Sequence, residues 1–123
     1  MDEKILFVDD EENVLAAFRR QFKKTFNLET ASNSILGLEV LQTEGPFAVV
    51  IADFRMPEMD GIQFLSRVKE ISPDTVRIML TGHADLNTAI DAVNSGNIFR
   101  FLTKPCPVDI LTNAIEIGIN STV

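Results

Sequence analysis

Ala48-Val49-Val50-Ile51-Ala52-Asp53 is an unbroken apolar run that ends on a carboxylate. It has the length and β-branched content of a strand buried on both faces. Three further runs follow the same plan: Ile5-Leu6-Phe7-Val8 before Asp9-Asp10, Ile78-Met79-Leu80 before Thr81, and Phe99-Arg100-Phe101-Leu102-Thr103 before Lys104. If the runs lie parallel in one sheet, their polar ends gather at the carboxyl edge of the strands, where open α/β sheets place their ligand sites. Carboxylates, a hydroxyl and one ammonium in a single cleft make a site for a divalent cation and a phosphoryl group.

Working outward from that run, strands alternate with amphipathic helical segments from Lys4 to about Asn120. The first helix is expected from Glu11 to Thr25, with Val14, Leu15, Phe18 and Phe22 inward and Arg19, Arg20, Lys23 and Lys24 in water. Leu28 to Ala31 reads as a short strand and Asn33 to Thr43 as a helix weakened by Gly37. Asp60-Gly61-Ile62-Gln63 has capping-box spacing and opens a third helix ending near Ile71. Ser72-Pro73-Asp74 is a turn before the strand Val76 to Leu80. A fourth helix is expected from Asp85 to Asn94, stopped by Ser95-Gly96-Asn97, and a fifth strand from Ile98 to Leu102. Pro107 suits the first turn of a fifth helix. That helix turns Leu111, Ile115 and Ile119 inward, and leaves Ile110, Ala114 and Ile117 as a second apolar stripe toward solvent. Parallel neighbours need crossovers, so this alternation predicts a doubly wound α/β fold with helices on both faces. Five strands and five helices in this length fit the flavodoxin-like order 2-1-3-4-5, whose switch point brings Asp9-Asp10 and Asp53 together.

The bulk numbers agree. A length of 123 residues is expected to form one domain, and 46% hydrophobic residues can supply its core. A net charge of −7 argues against a nucleic-acid or anionic-membrane surface. One cysteine, Cys106, rules out an intramolecular disulfide and suits a reducing compartment. Met1-Asp2-Glu3-Lys4 starts acidic, and no run approaches transmembrane length, so a cytoplasmic protein is expected.

Each polar end has a plain reading beside the chemical one. Asp9-Asp10 could merely cap the first helix, where Glu11 and Glu12 also suit the dipole. Yet four consecutive acids repel one another unless a cation or a partner compensates, and a hard cation such as Mg²⁺ prefers carboxylate and water oxygens. Asp53 could be a turn residue, but a carboxylate at the middle of the sheet edge is well placed as a nucleophile beside a metal. Thr81 could owe its place to strand propensity. Before the small Gly82 it can equally offer a hydroxyl to a phosphoryl oxygen. Lys104 is either a surface lysine or a point charge for phosphate, with Pro105 breaking the strand behind it and able to take the cis form. The sites reinforce one another because each ends a different strand in the required order.

On these residues the chain resembles a response-regulator receiver domain of two-component signalling, over essentially its whole length. The resemblance rests on Val8-Asp9-Asp10, Asp53 with Met56-Pro57 and Asp60-Gly61, Leu80-Thr81-Gly82, and Phe101 with Lys104-Pro105. It implies that Asp53 accepts a phosphoryl group from a histidine kinase or phosphotransfer protein. It further implies that Asp10, Asp53 and the backbone carbonyl of Arg55 ligate Mg²⁺, with Asp9 acting through metal-bound water. Thr81 and Lys104 would hold the phosphoryl oxygens, and Thr81 would be coupled to Phe101 in a switch. Phe101 stands where the family often has tyrosine, so the ring can rotate inward but offers no hydroxyl. Arg55 and His83 occupy variable positions beside the acceptor and are expected to tune the lifetime of the acyl phosphate. The fourth helix, fifth strand and fifth helix would form the signalling face, toward an output module or a second copy. Thr81-Gly82-His83-Ala84-Asp85 with the Phe99–Pro105 stretch is similar to receivers attached to cyclic-di-GMP phosphodiesterase or sensor-kinase modules. Any output module lies outside residues 1–123, and direct DNA binding is not expected of this domain.

Two other functions compete. A pseudo-receiver would use the same fold as a constitutive protein-binding module, but all five site residues are present. An aspartate-nucleophile phosphatase of the haloacid dehalogenase type needs an Asp-x-Asp pair, whereas Asp53-Phe54-Arg55 lacks the second acid. A signalling switch, rather than an enzyme acting on a separate substrate, is the expectation. His83 is the sole histidine, and a lone loop histidine is ordinarily no phosphorelay group.

Overall fold

A computed structural model describes residues 3–96 and 98–121. Its strands are β1 (Lys4–Val8), β2 (Asn27–Ala31), β3 (Val49–Asp53), β4 (Val76–Thr81) and β5 (Arg100–Thr103). They form one sheet in the order β2-β1-β3-β4-β5, every pair parallel. The helices α1 (Glu12–Phe22), α2 (Ser34–Glu44), α3 (Gly61–Ile71), α4 (Leu86–Asn94) and α5 (Val108–Ser121) supply the crossovers and cover both faces. A 3-10 turn, His83–Asp85, leads into α4. The expected flavodoxin-like order is the observed one.

All of β3 is buried, as its continuous apolar sequence requires. Its alternate residues feed two cores. Val49 and Ile51 join Ile5, Phe7, Phe18, Phe22 and Ile115 on the α1/α5 side. Val50 and Ala52 join Leu6, Val8, Phe64, Leu65 and Val68 on the other side. An aromatic column holds the first core: Phe7 stacks on Phe18 at 3.8 Å between centroids, and Phe18 meets Phe22 at 4.6 Å.

Several boundaries differ from the sequence expectation, each for a local reason. The helix α1 stops at Phe22 rather than Thr25, because the Thr25 and Phe26 amides both turn back onto the Phe22 carbonyl. That turn lets the Phe26 ring stack on Phe22 at 6.0 Å. The edge strand β5 runs over Arg100–Thr103 rather than Ile98–Leu102. Ile98 is buried, but in the Phe64 core instead of the ladder, and Phe99 reaches β4 through one bond to the Arg77 carbonyl. Pro107 precedes α5 and accepts the Leu111 amide at its carbonyl. Of the residues expected to stop α4, Asn97 lies outside the described residues, as do Met1 and Asp2 at the start.

One expectation for α5 is overturned. Ala114 is fully buried, so the solvent stripe reduces to Ile110 and Ile117, which are 48% and 40% exposed. The inward face is Leu111, Ala114, Ile115 and Gly118, a complete helical stripe. Its small members let α5 sit close to the sheet: a β-carbon on Gly118 would stand 3.1 Å from Val49.

Candidate functional site

Register brings the polar strand ends together. Val8 pairs with Ala52, Asp53 with Leu80 and Thr81 with Thr103. The ladder continues one step further through Phe54 N–H to the Leu80 carbonyl at 2.9 Å and Lys104 N–H to the Thr81 carbonyl at 2.8 Å. The backbone is thus held just after Asp53 by β4 and at Thr81 by the residue that follows β5. The start of α3 presses against the same spot. A β-carbon on Gly61 would lie 2.6 Å from the Asp53 carbonyl oxygen, which is why this close approach needs glycine.

Both oxygens of the buried Asp53 carboxylate are engaged. Lys104 Nζ donates to Oδ1 at 2.5 Å, and the Arg55 backbone N–H donates to Oδ2 at 3.2 Å. Burial works to lower the Lys104 ammonium, but the bond to Asp53 and the charges of Asp53, Asp9 and Glu11 outweigh it and hold the group above the ordinary lysine value. The buried Thr81 hydroxyl makes a long bond, 3.4 Å, to the Gly82 carbonyl, and is weakly committed. Asp53, Thr81 and Lys104 line one cavity of about 220 Å³ with Phe54, Arg55 and His83.

Asp9 is buried next to this group, and one of its oxygens accepts the Glu11 amide at 2.9 Å. Desolvation pushes its carboxyl up to about 6; the neighbouring Asp53 and Asp10 add to the rise, while the Glu11 bond and Lys104 oppose it. Asp10 is exposed and lines a separate cavity with Ser32, Asn33, Ser34, Ile35, Pro57 and Glu58. Among the described residues no three His, Cys, Asp or Glu side chains converge as a metal site. The donor chemistry nonetheless fits Mg²⁺, which takes hard oxygens, keeps several waters and needs only one or two carboxylates. Burial is the main reason Asp9 is raised, and the nearby Asp53 and Asp10 charges add to it.

Arg55 is not turned toward Asp53. Its guanidinium forms a two-point bond with Asp85, Nε to Oδ2 at 2.8 Å and Nη2 to Oδ1 at 2.9 Å. The Asp85 bond is the main reason its guanidinium is held above the usual arginine value. His83 is exposed at the start of the 3-10 turn and lines the cavity. Asp85 is the site residue that sequence reasoning missed; thirty positions separate it from Arg55, and no spacing rule links them. Phe101 is half-buried against the core that contains Ala89, Ala92 and Ile98.

A model of the response regulator receiver domain matches residues 5–116. The chain belongs to that family. It is 33% identical over 112 residues to the hydrogenase transcriptional regulatory protein HoxA of Bradyrhizobium diazoefficiens, covering 91% of this chain and 23% of HoxA. This receiver thus spans about a quarter of the length of such curated relatives. Among solved structures it is similar to an adenylate cyclase from Rhodopirellula baltica, with 38% identity, a TM-score of 0.96, and 99% and 90% of the two chains covered. A response regulator receiver domain protein from Clostridium thermocellum gives 37% identity and a TM-score of 0.90 over 96% and 94% of the chains. Receivers are signalling switches, and this one has the switch fold throughout. Among the described residues no helix is long and apolar enough to cross a membrane.

Proposed function

We propose that this receiver is a phosphoacceptor switch in which Asp53 takes a phosphoryl group from the phosphohistidine of a histidine kinase or phosphotransfer protein. The observation that carries the reading is Asp53 itself: a buried carboxylate at the end of the central strand, held by Lys104 beside the loosely bonded Thr81 hydroxyl. An Asp53 oxygen attacks phosphorus, the phosphorus–nitrogen bond breaks, and the imidazole leaves and takes up a proton. Asp10, Asp53 and the Arg55 carbonyl, with Asp9 through water, would hold Mg²⁺, which supplies charge neutralisation between the attacking carboxylate and the phosphoryl oxygens. Lys104 moves its charge from the carboxylate to a phosphoryl oxygen, and Thr81 turns its hydroxyl to another. Phe101 follows into the space Thr81 leaves, which carries the change to the face made by α4, β5 and α5.

Ile90, Phe99, Val108, Ile110 and Ile117 are all exposed on those elements and the loops beside them. An exposed apolar patch of this kind suits an output module or a second copy. The reading places the protein in the cytoplasm beside its kinase. The test is intact-mass analysis after incubation with acetyl phosphate and Mg²⁺. Wild type gains one phosphoryl group and Asp53→Asn gains none; Asp10→Ala needs far more Mg²⁺, and Lys104→Ala is labelled without the conformational response. Equal labelling of wild type and Asp53→Asn would reject the assignment, and an unlabelled wild type would favour a constitutive binding module.

A further inference from the structure

Asp85 stands at the residue before the first turn of α4, the place where an aspartate ordinarily caps a helix. It makes no capping bond there; its carboxylate is turned away, and both oxygens grip the Arg55 guanidinium. Its backbone shows why: as the last residue of the 3-10 turn it has φ −112° and ψ 14°, outside the extended geometry of a capping residue, and the Leu86 amide is bonded to the His83 carbonyl. Asp60, at the same place before α3, shows the alternative: φ −73° and ψ 175°, with its carboxylate accepting the Gln63 amide at 2.9 Å. Arg55 in turn is anchored to the acceptor, because its own N–H donates to Asp53. One side chain therefore links the phosphorylation site to the start of α4, and both partners line the same cavity.

We propose that Asp85 is a positioning residue that parks Arg55 in the unphosphorylated protein, and that phosphorylation draws Arg55 to the phosphoryl group and frees Asp85 to cap α4. This rests on the reading of Asp53 as phosphoacceptor. A phosphoryl group carries more charge than one carboxylate and offers three acceptor oxygens to a planar guanidinium. The ion pair it must outcompete is two-pronged, and water screens it from the arginine side, where the Arg55 side chain is 73% exposed against 14% for Asp85. Once released, and with the last residue of the 3-10 turn opened to extended backbone, the Asp85 carboxylate can address the Asn87 and Thr88 amides, the two that an N-cap side chain reaches. The route runs through the backbone of Asp85 and is separate from the one through Thr81 and Phe101.

Amide hydrogen exchange across α4 tests this. In the unphosphorylated protein, Arg55→Ala leaves Asp85 without its partner, so exchange at Asn87 and Thr88 slows about fivefold, the size of one capping bond. Arg55→Lys keeps a single-point ion pair and gives a smaller effect. Unchanged exchange in Arg55→Ala would overturn the parked state, whatever Asp53 does. With acetyl phosphate and Mg²⁺, wild type shows the same slowing and Asp85→Ala does not. Equal slowing in Asp85→Ala would overturn the exchange of partners. Intact mass on the same samples separates the two ideas: if wild type carries no phosphoryl group the phosphoacceptor reading fails and the phosphoryl-driven exchange falls with it, while the Arg55→Ala result still decides whether Asp85 is parked.

Discussion

The helices α3 and α4 pack on the same core and flank the same edge of the sheet, yet they are held by opposite means. Phe64, Leu65 and Val68 of α3 are fully buried, and Asp60 and Gln63 close a reciprocal capping box at its start. In α4 the buried residues are two alanines, Ala89 and Ala92. Its ends are tied instead by long cationic side chains: Arg55 to Asp85 at the start, and Lys69 to the Gly96 carbonyl just past the end. Burial of large apolar groups fixes a helix in one place, whereas exposed ion pairs and alanine contacts allow several places of similar energy. The acceptor sits between the two, braced against Gly61 of α3 and linked through Arg55 to α4. The fold thus gives the acceptor one rigid neighbour and one that can move.

The sharpest way to break this contrast is to empty the anchor. Phe64→Ala should cost about 3–5 kcal/mol, the usual result of deleting a buried ring. Ala89→Gly in α4 should cost about 1 kcal/mol, by helix propensity. Urea unfolding measures both, and equal costs would contradict a loosely held α4.

A second prediction concerns the charge the acceptor edge stores. Folding raises the Asp9 carboxyl from 3.8 to about 6. Between those values the folded protein holds a proton that the unfolded chain has released, so stability falls as pH rises through this window and is level above it. Asp9→Asn should remove the slope and, in metal-free buffer near pH 7, add up to about 3 kcal/mol. Mg²⁺ at millimolar concentration should raise the melting temperature of wild type by mass action, and do so far less in Asp9→Asn. A melting temperature indifferent to both pH and Mg²⁺ would remove the charge argument.

Smaller effects sharpen the comparison. Gly61→Ala drives a methyl into the Asp53 carbonyl and the Phe54 backbone, at 2.6 and 2.8 Å. It should cost about 1–3 kcal/mol and slow labelling of Asp53, because the acceptor strand must shift. Asp60→Ala removes a working cap and should cost about 1 kcal/mol. Asp85→Ala, at the same place before α4, should cost clearly less in the unphosphorylated protein, since it removes no cap and only the pair with the exposed Arg55 is lost.

Much of this was legible in the sequence, for physical reasons that also mark where legibility stopped. A run such as Val49–Asp53, apolar on both faces, reads as a central strand without reference to anything else, and its end places Asp53. Asp60 through Gln63 reads as a capping box because every bond in it is local. The start of the edge strand β5 lies two residues beyond the apolar run that suggests it, since the apolarity of Ile98 serves a core and not a ladder. Alanine carries too little hydrophobic signal to reveal which face Ala114 lies on; its burial goes with the close approach of α5 at Gly118. Asp10 reads with Asp9 in the sequence, but burial tells the two neighbours apart: Asp9 is buried beside Asp53 and Asp10 is exposed. The Arg55–Asp85 bond joins the loop after β3 to the 3-10 turn before α4 and leaves no periodic trace at all.

The central claim is that the carboxylate ending β3 carries the signal. Phosphorus NMR of the protein with acetyl phosphate and Mg²⁺ tests it most directly, because an acyl phosphate, a phosphohistidine and a phosphothreonine resonate apart. A protein-bound acyl-phosphate signal, separate from that of the acetyl phosphate reagent, present in wild type, lost in Asp53→Asn and kept in His83→Ala and Thr81→Ala, is the predicted result. A protein-bound signal that survives Asp53→Asn, or one of phosphohistidine that vanishes with His83, would contradict it.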